Sequence, residues 1–433
     1  MSERPPVIHL RVPGDKSISH RALLLAALAP GESRLSGLST ADDVRATARC
    51  LRSLGAPIPE LVSSELRCAG AAWQAPEGDL DCGNSGTTAR LLLGLVAGLG
   101  LPARLDGDAS LRRRPMDRVV YPLQAMGARI RYGGAPDRLP VVVERRASGS
   151  LRPLRHRPAV ASAQVKSCML LAGLASHVRV EICEPSQSRD HTERLLGVMG
   201  CPTSPALACA GHGLVLDPID GAGALRPLDL DVPGDPSSAA FLLAAGLLGQ
   251  TPVRTGGVGL NPTRTGFIRA VEAMGGRLTV EPSGDAAGEP AGDIAAAPSE
   301  LGPLRIDGGQ VPGLLDEIPI LAVLASRARG ESIIRGAGEL RVKESDRLRL
   351  LARNLSRLGV ECEELDDGLR IVGSGRALAG GVETGGDHRI AMAFGVLGSR
   401  PGNEIEVDDP ACVTVSYPRF WEDLASIRSG GAK

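Results

Sequence analysis

Val12 to Leu28 reads VPGDKSISHRALLLAAL, and Val232 to Leu248 reads VPGDPSSAAFLLAAGLL. In both, a Pro-Gly-Asp turn opens onto a run that is apolar almost all round, the pattern of a helix buried on every side. The first copy places Lys16, Ser17 and Arg21 at the helix start. Backbone N–H groups there lack intrahelical partners and point outward, at the positive end of the macrodipole. Cations and a hydroxyl added to that end make an anion site. In the second copy Pro236 replaces Lys16 and no cation follows. The first is the working copy and the second its architectural echo.

Working outward, the same helix type recurs. Apolar helices opening with small or polar residues begin near Lys16, Gly86, Ser162, Asp235, Asp316 and Asp387, at spacings of 70 to 81 residues. Interleaved amphipathic helices end at Gly55, Gly127, Gly200, Gly275 and Gly359, where glycine supplies the left-handed cap that stops a helix. Strand-like runs follow the glycines. A sixth amphipathic helix, Tyr417 to Ile427, closes the series without one. Two interleaved series in phase are the signature of an internal repeat. The reading is an α/β protein of two similar, inverted domains, each of three βαβαββ repeats around buried helices. The first lobe is residues 1–14 and 234–433, the second 15–233. The strand Val7 to Val12 pairs into the first lobe, because it precedes one crossing as Leu228 to Val232 precedes the other. A cleft between such lobes is the expected place for a ligand.

Composition narrows the partners. The chain has 433 residues, net charge −1 and 2% aromatic residues. That balance disfavours nucleic acid and anionic membrane surfaces, and it removes stacking platforms for single strands. No apolar run is long enough to span a bilayer, and the N-terminus lacks a secretory pattern. Nine cysteines are scattered without a C-x-x-C pair. Most read as small buried apolar groups in a reducing cytoplasm. No metal-ligand motif is present, so no metal is expected.

Charge concentrates where helices start. Asp81 to Arg90, DCGNSGTTAR, opens one buried helix with bare N–H groups and hydroxyls. Arg112 to Pro115, Ser188 to His191, Asn261 to Arg264 and Lys343 to Arg347 open amphipathic helices with cations, which oppose the macrodipole at a cost of roughly 0.3–1 kcal/mol each. A bound anion offsets that cost at Arg114, Arg189 and Arg347; Arg264 reads instead as a paired or solvated side chain. Ser162 and Gln164 are polar on a helix otherwise committed to the core. Asp316-Glu317 and Asp387-His388-Arg389 add acids. At least six cations with two or three acids exceed what one phosphate needs. The ligands should carry several anionic groups, with carboxylates at hand for proton transfer.

Together PGDKSISHRALLLAAL, GNSGTTARLLLG, RRRPMDR, SAQVKSCMLLAG, SRDHTERLL, DPSSAAFLLAA, NPTRTG, LRVKESDRL and DHRIAMAF resemble the 5-enolpyruvylshikimate-3-phosphate synthase family of enolpyruvyl transferases, over nearly the whole chain. The resemblance implies two inverted domains closing on the substrates. It implies transfer of enolpyruvyl from phosphoenolpyruvate to the 5-hydroxyl of shikimate 3-phosphate, with release of phosphate and no cofactor. By similarity, Lys16, Ser17, Arg21, Ser162, Ala163, Gln164, Arg189, Asp316 and Lys343 hold shikimate 3-phosphate. Lys16, Gly86, Arg114, Gln164, Arg347 and Arg389 hold phosphoenolpyruvate. Asp316, Glu344 and Lys16 are the implied proton-transfer groups. A cytoplasmic monomer is expected, and a glyphosate target.

Two departures stand out. Many members carry a lysine near the C-terminus where this chain has Val415. Tolerant members of the subgroup suggested by SAQVKS and SRDHTE carry alanine where this chain has Gly86, so glyphosate should still fit. The sister transferase acting on UDP-N-acetylglucosamine uses a loop cysteine, and Asp108 to Asp117 has none. A non-catalytic binding protein on the same fold would have no reason to keep Lys16, Asp316 and Glu344 together.

Overall fold

The computed structural model describes residues 7–146, 151–207, 209, 211–218 and 225–430. By its internal contacts the chain divides into two compact units. Unit 1 is Met1–Pro13, Pro233–Asp285 and Pro290–Lys433; unit 2 is Gly14–Val232 with Ala286–Glu289.

Unit 2 holds helices α1 (Lys16–Leu28), α2 (Asp42–Ser53), α3 (Gly86–Leu99), α4 (Asp117–Ala125), α5 (Ala163–Ser176) and α6 (His191–Val198). Helices α1, α3 and α5 form the core, as all-round apolarity requires: Thr88 through Gly98 of α3 are all buried. Two glycines one turn apart let α3 and α5 meet backbone to backbone. A Cβ on Gly94 would stand 2.1 Å from the Cys168 carbonyl oxygen, and one on Gly98 would stand 2.7 Å from that of Ala172. Unit 1 repeats the scheme with α7 (Pro236–Leu248), α8 (Gly266–Ala273), α9 (Ile318–Arg327), α10 (Arg347–Arg357), α11 (His388–Ser399) and α12 (Phe420–Arg428). Here α7, α9 and α11 supply the buried set.

The strands complete βαβαββ repeats. Leu80–Asp81 runs parallel to Ala103–Asp106, and the antiparallel pair Val141–Val143 and Ile130–Tyr132 finishes that sheet. Leu154–His156, Val180–Glu184, His212–Leu216 and Ser204–Pro205 build the next in the same way. The crossing strands behave as their positions imply. Ile8–Leu10 pairs in parallel with the strand Val253–Gly259 of unit 1, and Asp229–Asp231 pairs with Glu32–Ser36 of unit 2. Gly55, Gly127, Gly200, Gly275 and Gly359 all lie at positive φ, between 78° and 97°, two residues past the ends of their helices.

Some details differ from the sequence reading. Among the described residues, the sheet beside α1 has three strands and the one beside α11 has two. The last helix begins at Phe420, because Pro418 disfavours helical backbone at Tyr417. Arg112 to Pro115 does not open α4 directly. Leu111–Arg113 makes a single 3-10 turn, Arg114 is extended ahead of Pro115, and α4 starts at Asp117. A disulfide joins Cys183 to Cys209, where the scattered cysteines of a reducing cytoplasm gave no expectation of a pair. The four residues Ala286–Glu289 group with unit 2, where the Glu289 carboxylate lies 2.6 Å from Nδ1 of buried His191.

Candidate active site

In unit 2 the candidate residues gather at the starts of α1, α3 and α5. Asp15 caps α1 by accepting from the Ile18 N–H, and Ser85 caps α3 by accepting from the Thr88 N–H. Ser162 precedes α5 but makes no such side-chain bond, so its hydroxyl is not spent on the helix. The Lys16 ammonium lies 2.8 Å from Asp43 on α2. Arg189 reaches the Ser17 hydroxyl at 3.3 Å. Gln164 donates to the Thr87 hydroxyl and accepts from Arg90 Nη1 at 2.8 Å. Arg114 donates to Asn84 Oδ1 at 2.6 Å. A Cβ on Gly86 would come 2.8 Å from Arg90 Nη1 and 3.2 Å from Arg114 Nη1, so this glycine lies under two guanidinium groups.

Arg21 has a bracing role that its place in the motif did not reveal. It is 3% exposed. It donates to the Ser17 and Ala163 carbonyl oxygens and to the Thr192 and Ser167 hydroxyls, tying α1, α5 and α6 together. Burial draws its pKa down to about 10, so it remains a cation at neutral pH. Its neighbour His20 is fully buried, with Nδ1 2.7 Å from the Thr47 hydroxyl. Burial, then the charges of Lys16 and Arg21, hold its pKa well below the ordinary histidine value.

In unit 1 the candidates gather at the starts of α9, α10 and α11. Arg347 is 1% exposed and sits among three acids: Glu344 at 2.6 Å, Asp387 at 2.8 Å and Asp316 at 3.7 Å. Burial opposes its charge, but Asp387 and Glu344 outweigh that and raise its pKa. Its Nη1 is buried without a hydrogen-bond partner among the described residues. Arg389 donates to the Asp316 carbonyl oxygen at 3.1 Å, and its Nε lies 3.5 Å from the Asp316 carboxylate. Asp387 caps α11 through the Arg389 N–H while binding Arg347. Lys343 is partly buried, and desolvation lowers its pKa despite nearby Glu339 and Asp316.

The neighbouring acids Asp316 and Glu317 separate by environment. Glu317 is 2% exposed; it accepts from the Ser237 hydroxyl and lies 3.9 Å from Arg264. Arg264 also binds Asp235 and Ser237, so it is a buried, paired structural cation and never a solvated one. Asp316 faces Arg347 and Arg389.

Four participants lie outside the sequence-derived set. Arg90 stood inside the quoted DCGNSGTTAR stretch, as an arginine one turn into an apolar helix. Asp387 lies inside DHR, as the acid that opens the last buried helix. Asp43 and Glu184 carry no motif, because their partners lie on other elements: Lys16 at the start of α1 for Asp43, and the Ser162 N–H and Lys166 of α5 for Glu184.

Repeats of this kind, with cations and acids at helix starts in each unit, define a class of α/β protein built to hold small anions. NikO, an enolpyruvyl transferase from Streptomyces tendae, shares the fold with a TM-score of 0.76 over 98% of this chain and 94% of its own, at 20% identity. EPSP synthase from Acinetobacter baumannii aligns with a TM-score of 0.83 and 37% identity, over 97% and 95% of the two chains. Residues 7–424 match the family EPSP synthase (3-phosphoshikimate 1-carboxyvinyltransferase). The 3-phosphoshikimate 1-carboxyvinyltransferases of Gloeobacter violaceus and Thermus thermophilus are 47% and 50% identical, covering 97% and 96% of this chain and 96% and 95% of their own. The chain belongs to the EPSP synthase family.

Proposed function

We propose that this chain transfers the enolpyruvyl group of phosphoenolpyruvate to the 5-hydroxyl of shikimate 3-phosphate and releases phosphate, as an enzyme of the shikimate pathway. The observation that carries this reading is the Asp316–Arg347–Arg389 group, a carboxylate held against two buried cations, one with an unfilled nitrogen. Lys16, Ser17, Arg21, Ser162, Ala163, Gln164, Arg189, Asp316 and Lys343 take shikimate 3-phosphate. Lys16, Gly86, Arg114, Gln164, Arg347 and Arg389 take phosphoenolpyruvate.

Asp316 accepts the 5-hydroxyl proton as that oxygen attacks C2 of phosphoenolpyruvate. Glu344 or Lys16 delivers a proton to C3, giving a tetrahedral adduct. Loss of a methyl proton and of phosphate then leaves the enol ether. The cations stabilise the adduct's phosphate and carboxylate more than those of the separated substrates, which is what lowers the barrier. Arg21 contributes chiefly by holding the Ser17 and Ala163 backbone in place, given how many of its donors the protein already uses.

The enzyme is read as a cytoplasmic monomer working without metal or cofactor. Among the described residues no helix is long and apolar enough to cross a membrane. A phosphate-release assay tests the reaction. Release is expected only when both substrates are present; release without shikimate 3-phosphate, or none with both, overturns the reading. Sedimentation tests the monomer.

A further inference from the structure

Beneath the shikimate 3-phosphate residues of unit 2 lies a buried ion cluster with no part in the chemistry described above. Its hub is Glu184, the last residue of the strand Val180–Glu184 and 4% exposed. One carboxylate oxygen accepts the backbone N–H of Ser162 at 2.9 Å. The other accepts the Ser188 hydroxyl at 2.8 Å and lies 3.0 Å from the Lys166 ammonium. Lys166 is 3% exposed and also pairs with Glu193 of α6 at 2.7 Å. Burial opposes the Lys166 charge, yet Glu193 and Glu184 outweigh it and raise its pKa.

Burying three charges is costly, and an apolar set of similar volume often stabilises a fold as well or better. Such a cluster therefore calls for a use beyond stability. Its connections supply one. The Ser162 N–H fixes the entry to α5, which carries Ala163 and Gln164. The Ser188 hydroxyl fixes the turn that carries Arg189. One carboxylate thus sets the spacing between two segments that hold the same ligand. It also explains how Ser162 stays in register without a side-chain cap bond to α5: its backbone is held from outside the helix.

We infer that Glu184, charge-balanced by Lys166, is a positioning residue that pins the Ser162 and Ser188–Arg189 segments at the separation shikimate 3-phosphate requires. This rests on the activity proposed above. Displacements of about 1 Å in such segments cost large factors in rate or affinity, even when no ligand contact is removed.

The test compares steady-state kinetics and thermal melting of the full-length wild-type chain and three variants. Glu184→Gln keeps the volume but cannot accept from Ser162 and Ser188 while balancing Lys166. It should raise KM for shikimate 3-phosphate on the order of tenfold, with KM for phosphoenolpyruvate and kcat within about threefold. Should that chain fail to fold, Glu184→Asp keeps the charge, shortens the reach by one methylene and should shift the same KM by a smaller factor. Glu193→Gln perturbs the same buried cluster without touching Ser162 or Ser188. It should lower the melting temperature and leave both KM values unchanged. Equal rises in both KM values with Glu184→Gln, no rise with either Glu184 variant, or a matching rise with Glu193→Gln would overturn the assignment. Failure of the wild-type chain to turn over the two substrates would instead count against the proposed activity.

Discussion

The Lys16 ammonium and the Asp43 carboxylate lie 2.8 Å apart, with side chains 14% and 8% exposed. The cation that opens α1 therefore rests against an acid of α2. On the proposed reading, an anionic substrate shares Lys16 with that acid.

Lys16→Ala should abolish measurable turnover while the fold persists. It also strands Asp43, a nearly buried acid, at a cost of about 1–3 kcal/mol. Circular dichroism and denaturant titration should give a folded chain with a lower midpoint and an unchanged slope. Retained activity would show that the anion group at α1 is misassigned.

Gly86→Ala narrows the space beneath Arg90 and Arg114. Both contacts are far ends of flexible side chains, so the chain should fold normally. The guanidinium groups must move, and KM for phosphoenolpyruvate should rise severalfold. Glyphosate should inhibit the wild-type chain, and the variant should need on the order of tenfold more inhibitor, a difference of about 1.4 kcal/mol. Equal inhibition of the two chains would show that position 86 does not border the pocket.

Arg264→Met should act on stability alone. The side chain is 2% exposed and serves Asp235 and Glu317. Removing it leaves two buried acids without their cation, at about 3–5 kcal/mol. Denaturant unfolding should show that loss. A specific rise in KM for either substrate, in protein that remains folded, would make Arg264 a ligand.

His20 sets a pH dependence. Its folded pKa is depressed by burial, Lys16 and Arg21, whereas the unfolded chain protonates it near 6.5. Below that value the unfolded state binds a proton the folded state refuses, so stability falls as pH drops. The slope approaches about 1.4 kcal/mol per pH unit for this one group. Urea unfolding at pH 7.5, 6.0 and 5.0 should show the decline, and His20→Gln should flatten it. An identical slope in the variant would place the effect elsewhere.

Much of the molecule was legible without coordinates because it is written locally. All-round apolarity marked α1, α3, α5, α7, α9 and α11, since a helix with no polar face has to be buried. Glycines at 55, 127, 200, 275 and 359 marked helix ends, since left-handed backbone favours that residue. The repeated VPGD marked two crossings, and the strands before them pair accordingly. Positive charge at helix starts marked candidate anion sites.

Tertiary structure decided which charges find which partners. Glu317 and Asp316 are adjacent and chemically alike, yet the fold gives one to Arg264 and Ser237 and the other to Arg347 and Arg389. Arg21 reads as a ligand by position, and only the fold shows that it also ties α1 to α5 and α6. Asp43 and Glu184 have no motif at all, and Cys183 finds Cys209 from 26 residues away. Periodicity and capping depend on neighbours three or four residues distant, so sequence fixes them. The state of a buried charge depends on groups that only packing brings within a few ångströms.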